Sequence, residues 1–116
     1  MAIDKSLLTG STTMLVLKLL EDKDMYGYQM IETLANKSDE TFNLKAGTLY
    51  PILHGLETNG IVESYDDNAE SARVRKYYHL TSKGKRILQE KKQEWEVYSS
   101  AVNKVLNGGG LSYAAI

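Results

Sequence analysis

A chain of 116 residues, 42% hydrophobic and 25% charged, has the make-up of one soluble globular domain with or without an appendage. Its lack of cysteine excludes disulfides and thiolate metal sites, and two histidines, His54 and His79, are too few for a zinc site without carboxylates. The formal net charge of −1 hides a segregation: residues 1–70 carry 5 Lys against 12 Asp and Glu, whereas residues 71–92 carry 8 Lys and Arg against Glu90 alone.

A basic block inside a neutral chain is the local footprint that matters for phosphate binding, although Lys83 to Lys92 alone would better suit a solvated helix face. The opening MAIDKSLLTGS lacks a basic region followed by a long apolar core, so no signal peptide is expected. The apolar stretch Met14 to Leu20 is broken by Lys18 and too short to span a bilayer. A cytoplasmic protein with no membrane partner is expected.

In chain order, TTMLVLKLLED is apolar nearly all round a helical wheel, which predicts a helix buried twice, in its own core and against a second chain. DKDMYG reads as a short turn. In YGYQMIETLANKS, Tyr28, Ile31, Leu34 and Ala35 make an apolar stripe, with Gln29, Glu32 and Asn36 outside it. DETFN is a loop. In LKAGTLYPILHGLETNGIV, Leu49, Ile52, Leu53 and Leu56 fall on one helical face, and Asn59-Gly60 is a stop signal. The sole proline, Pro51, costs least in a first turn, so the helix is expected to start near Ala46 to Thr48, with Pro51 at its front end or at a slight kink.

IVESYD and VRKYYHL are rich in β-branched and aromatic residues and read as two strands joined by the polar tip DNAESAR. Thr81 or Ser82 can cap a last helix from Ser82 to about Leu106. At 1.5 Å per residue that helix is about 37 Å long. Leu88, Trp95 and Val102 are spaced by seven, with Tyr98 and Val105 in a second such row, which favours a dimer seam over packing within the chain. NGGG ends the helix, and residues 109–116 read as a frayed tail.

The expected fold class is therefore mainly α with a two-stranded β wing. Residues 1–80 would form a winged helix-turn-helix and residues 81–108 a dimerisation helix. In such motifs the second helix enters the major groove of double-stranded DNA by its N-terminal residues. Lys45 would then meet phosphate, Thr48 and Tyr50 phosphate or base edges, and Gly47 would permit close backbone approach. His54 lies one turn on from Tyr50. Arg73, Arg75 and Lys76 of the wing could straddle a phosphate backbone or reach a minor groove. Tyr50 suits a core or rim position nearly as well as a DNA contact, and Tyr77 and Tyr78 suit hairpin packing better than stacking.

GTLYPILHGLETNGIV, then RVRKYYHLTSKGKRIL, then a single tryptophan in the last helix, preceded by MYGYQM, resembles the PadR family of bacterial transcriptional regulators from about Ser11 to Leu106. The short chain with one C-terminal helix is similar to its smaller, multidrug-sensing (LmrR-like) branch. The resemblance implies a homodimeric repressor of a palindromic operator, dimerised through the first and last helices. Met14, Leu17, Leu88, Trp95, Tyr98, Val102 and Val105 would lie at that interface. It also implies a planar aromatic ligand between paired tryptophans, with Trp95, Met14 and Ser99 as the matching positions; a filled interface core is the alternative. Gly55, where the family usually has arginine, and the Glu70-bearing wing tip depart from the pattern. No nucleophile–base set, metal cluster or phosphate-cradling loop suggests an enzyme or a cofactor. The competing reading is a protein–protein adaptor, favoured by the acidic first 70 residues with Glu57 and Glu63 close to the recognition helix.

Overall fold

Asp4 starts the first helix, its carboxylate accepting from the Ser6 amide at 2.8 Å and the Ser6 hydroxyl at 2.7 Å. The computed structural model describes residues 3–67 and 74–108. Along these run α1 (Lys5–Asp22), β1 (Met25–Tyr26), α2 (Gly27–Lys37), α3 (Ala46–Thr58), β2 (Val62–Asp67), β3 (Arg75–Leu80) and α4 (Ser82–Leu106). The architecture is the expected mainly helical one with a β wing. Arg73, Glu70 and the tail 109–116 lie outside the described residues. Among the described residues no helix is long and apolar enough to cross a membrane.

The apolar ring of α1 is divided. Val16, Leu17, Leu19 and Leu20 are buried in the chain's own core, while Leu7 is exposed and Met14 and Leu15 are half-buried. On α2 the buried stripe is Gly27, Met30, Leu34 and Ala35; Tyr28, expected inside it, is 65% exposed. The apolar pattern alone could not tell that the bulky Tyr28 yields its place to Gly27, which leaves room for another ring.

α3 buries Leu49, Leu53 and Leu56. Its hydrogen-bond ladder begins with the Leu49 amide on the Lys45 carbonyl at 2.9 Å. Pro51 is therefore the sixth residue and lies in the second turn, not the first, where its missing amide leaves the Gly47 carbonyl without the usual ladder donor. The helix ends as expected at Asn59-Gly60. Gly60 takes φ +71°, its amide bonds the Glu57 carbonyl at 3.0 Å, and the Ile61 amide bonds the Leu56 carbonyl at 2.9 Å.

The sheet has three antiparallel strands in the order β1-β3-β2, where the sequence had suggested two. The added strand, β1, pairs Met25 with Tyr78 and Tyr26 with Tyr77; two residues are too few to show a strand period, and DKDMYG therefore looked like a turn. Alternation along β3 buries Tyr78 and Leu80 and leaves Arg75, Tyr77 and His79 on the other face. On that outer face Asp24, just before β1, accepts from the Tyr65 hydroxyl at 2.7 Å and binds His79 Nδ1 at 2.8 Å. Burial works to raise the Asp24 carboxyl, but these two bonds outweigh it and hold it below the usual range. The bond to Asp24 pushes the Tyr65 phenol up to about 12.

Thr81 caps α4, its hydroxyl accepting from the Gly84 amide at 3.0 Å and reaching the Gly60 and Ile61 carbonyls at 2.8 and 2.9 Å. Leu88, one turn on from Gly84, is fully buried. Leu17 and Leu88 thus belong to the chain's own core. They have no exposed surface to give to a second chain, which corrects their expected place at a dimer interface: heptad spacing cannot tell a helix's inner side from its outer one. Beyond Leu88 the helix leaves the core.

A methyl group on Gly84 would meet the Ile61 carbonyl oxygen at 2.2 Å, a backbone atom that cannot swing aside. Gly84→Ala should therefore cost about 2 kcal/mol, measurable as a lowered urea midpoint. A second expectation concerns pH. The Tyr65 phenol ionises higher in the folded chain than in the unfolded one, so its contribution is complete below about pH 10 and is lost as pH rises toward about 12. Tyr65→Phe should flatten the fall in melting temperature over that window.

Candidate nucleic-acid interface

No side chain caps the front of α3, and no carboxylate lies in its first turn. Its first amides and the positive end of the helix dipole are therefore available to an anion. Lys45, the residue before the helix, is exposed and extended, at φ −106° and ψ 157°. Gly47 and Thr48 follow, both exposed, with open space around Gly47. Gly47, Thr48, Tyr50, Pro51, His54 and Thr58 form one exposed face along the helix, opposite buried Leu49, Leu53 and Leu56. The proline thus sits on the outward side.

Tyr50 is 39% exposed, and its ring lies over Gly27 at the start of α2: a methyl group there would fall 2.1 Å from the phenol oxygen. Tyr50 is thus a rim residue seated on Gly27, with part of its ring exposed. Gly27 was the missed partner. Its signal was the small residue between Tyr26 and Tyr28 at a helix start. His54 shares the face but lies one turn deeper along the helix. Gly55 has open space where a larger side chain would go, so nothing in the packing demands glycine there.

On the wing the pleat separates two residues expected to act together. Lys76 shares the face of Tyr78 and Leu80, the side on which α3 lies; Ser64, opposite Tyr78, donates there to Glu57 of α3. Arg75 is on the outer face, its guanidinium 4.6 Å from the centre of the Tyr26 ring. Tyr77 packs between Tyr26, edge-on at 5.4 Å, and Tyr65, stacked at 5.8 Å, and Tyr78 is buried. Both tyrosines pack the hairpin, as expected. Burial raises the Tyr78 phenol, and Glu57 and Tyr50 add to the effect.

The basic block is not one surface. Lys83 donates to the Asn59 carbonyl at the end of α3, at 2.8 Å, and Lys92 meets Glu21 of α1 at 3.6 Å. Lys85 and Arg86 are exposed on the first turns of α4.

The distal part of α4 carries Trp95 (49% exposed), Tyr98, Val102, Val105 and Leu106, all exposed. Trp95 and Tyr98 have ring centres 6.2 Å apart. They line a cleft of about 160 Å³ with Met14, Gly10, Lys91 and Glu94. Of the three positions the resemblance suggested for a ligand, Met14 and Trp95 come together, while Ser99 lines a neighbouring groove with Glu96, Ser100 and Asn103. Among the described residues no cluster of His, Asp or Glu could hold a metal ion.

Residues 16–90 match the model of the transcriptional regulator PadR-like family. A PadR family transcriptional regulator from Eggerthella lenta is 36% identical, at a TM-score of 0.79 over 89% of this chain and 88% of that one. A transcriptional regulator from Clostridium thermocellum is 32% identical, at a TM-score of 0.81 over 88% and 96% of the two chains. The transcriptional regulator Rv3488 of Mycobacterium tuberculosis is 30% identical over 94 residues, 81% of this chain and 79% of that one. With its motifs, its winged helix-turn-helix and these relatives in agreement, the chain belongs to the PadR-like family of transcriptional regulators, which are not enzymes.

Proposed function

We propose that this chain acts in the cytoplasm as a homodimeric repressor that binds a palindromic operator and is released from it by a planar aromatic molecule at the dimer interface. The observation that carries the DNA-binding part is the front of α3: exposed, uncapped and free of carboxylates, with Lys45 before it and Thr48 and Tyr50 on its outward face. A phosphate there gains the helix dipole and the lysine together, while Tyr50 is held at the angle Gly27 permits. Two such helices in a dimer would meet half-sites about 10 bp apart, or a multiple of that.

The support for a dimer is the outer half of α4. Trp95, Tyr98, Val102, Val105 and Leu106 are a large apolar load to leave in water, and Leu7 adds to it from α1. The Met14–Trp95 cleft lies beside this surface, so a second copy would bring a second Trp95 to it. Two indoles could hold a flat ring between them, and a ligand preferring one spacing of the protomers would shift the separation of the two α3 helices.

The deciding experiment is binding to the protein's own upstream DNA, against a scrambled duplex of equal length, across a salt series. Tight binding to the first and weaker, salt-steep binding to the second is expected. Equal, weak binding to both, with a co-purifying protein partner, would select the adaptor reading. Lys45→Ala and Lys76→Ala should each flatten the salt slope by about one per protomer, and Arg75→Ala, whose guanidinium rests on Tyr26, should flatten it less. Sedimentation should give twice the 13.0 kDa chain mass. Val102→Asp should lower it to one chain with helical content retained; an unchanged sedimentation coefficient would remove α4 from the interface.

A further inference from the structure

We propose that Asp24 is a positioning residue for the wing, a single carboxylate that fixes how β2 and β3 stand relative to the helices and so where the wing cations meet DNA. An isolated two-stranded hairpin is marginal in water, so the wing needs attachment to keep one orientation. The body supplies much of it through three consecutive residues. Met25 is buried and pairs with Tyr78 through the backbone, and Tyr26 pairs with Tyr77 and packs its ring against that side chain. Asp24 makes the third attachment through its side chain, and of the three it alone reaches both wing strands: Tyr65 of β2 at 2.7 Å and His79 of β3 at 2.8 Å.

The position of these bonds matters. The β1–β3 pairing stops at Tyr77, so the pairs Asp66–Lys76 and Asp67–Arg75 project beyond the third strand. Tyr65, opposite Tyr77, is the last β2 residue before that projecting part. The bond from Tyr65 to Asp24 therefore pins β2 at the point from which Lys76 and Arg75 extend. The Ser64–Glu57 contact holds the same stretch of β2 from the α3 side. Without the Asp24 bonds, β1 would still hold β3, but β2 would be held at this level only by β3 and by the Ser64–Glu57 contact, and the projecting pairs would sample more orientations. The DNA consequence rests on the DNA-binding reading above; the wing attachment does not.

The test uses the full chain and compares Asp24→Ala with Asp24→Asn. Both remove a negative charge, but an asparagine oxygen can accept from Tyr65 while its amide nitrogen donates to the His79 ring. In hydrogen exchange without DNA, the amides of β2 and of residues 75–77 should exchange at least about tenfold faster in Asp24→Ala and as in the wild type in Asp24→Asn, with α1 and α2 unchanged in both. On the upstream duplex, Asp24→Ala should lose about one to two from the salt slope per protomer and Asp24→Asn none. Wild-type exchange in Asp24→Ala, or an Asp24→Asn as fast as Asp24→Ala, would overturn the proposal. Faster exchange with an unchanged slope would overturn the positioning role and leave only a structural one. If the wild type binds no duplex, the DNA-binding reading fails, and the exchange arm still decides whether Asp24 fixes the wing. Should Asp24→Ala fail to fold, the double variant Tyr65→Phe, His79→Leu removes both donors and is read by the same exchange pattern.

Discussion

The wing and the long helix α4 leave the body of this molecule from one joint. At residues 59–61 and 81–84 the end of α3, the root of β2 and the start of α4 are bonded into one piece. The Thr81 hydroxyl reaches the Gly60 and Ile61 carbonyls while holding the Gly84 amide, and the Lys83 ammonium takes the Asn59 carbonyl. Asn59 is the C-cap of α3 and Gly60 and Ile61 follow it, so their carbonyls have no donor within the helix, and the joint satisfies groups that would otherwise depend on water. Gly84 lets α4 approach so closely that no side chain fits between it and Ile61. The start of α4 is therefore tied to the end of α3, while α1 lies along the helix farther on. A change in the tilt of the long helix would act on this joint and on the packing against α1 together, and packed junctions of this kind shift between discrete arrangements more readily than they bend.

The same economy operates in β3. One strand of six residues closes the core with Tyr78 and Leu80, directs Lys76 toward the α3 side, and with its other face builds the tyrosine row that carries Arg75. The pleat enforces this division, because neighbouring residues on a strand cannot share a face. Arg75 and Lys76 look like one basic dipeptide in the sequence and are two differently placed charges in the fold. Among the described residues the rest of the basic block is dispersed in the same way, with Lys83 and Lys92 committed to Asn59 and Glu21. A local excess of charge in the sequence pointed to an anionic partner class, but the surface that would meet it had to come from the fold.

What was legible in the sequence was what repeats. α4 runs from Ser82 to Leu106, the range its spacing gave, and the Asn59-Gly60 stop is where α3 ends. Family motifs spanning most of the chain carried the order of elements. What was not legible rests on single residues or on three dimensions. β1 has two residues and no period. Tyr28 lies outside because Gly27 must lie inside, beneath Tyr50. Leu17 and Leu88 fall on helices with apolar residues on more than one side, and only the fold shows which side meets the core. Asp24 gave no signal at all, since its partners Tyr65 and His79 are 41 and 55 residues away.

The acidity of the first 70 residues, which seemed to favour a protein partner over DNA, changes meaning once those carboxylates are placed. Asp4 caps α1. Glu21 and Asp22 pair with Lys18 at 3.1 and 3.2 Å, and Glu21 also meets Lys92. Asp24 holds Tyr65 and His79, and Glu57 accepts from Ser64. The exposed ion pairs of Lys18 and Lys92 contribute only about 0–1 kcal/mol each, so stability is not their main effect. What they share is an effect on the field: these five carboxylates are engaged along α1, at the sheet edge and at the far end of α3, while the first turn of α3 carries no acid and Lys45 precedes it. Salt screens exposed charges beyond about 8 Å at physiological ionic strength, so a phosphate at that front responds to its near neighbours rather than to the net charge of the chain. A protein of net charge −1 can thus present a cationic helix end to DNA, and the distribution of charge, not its sum, sets which partner is attracted.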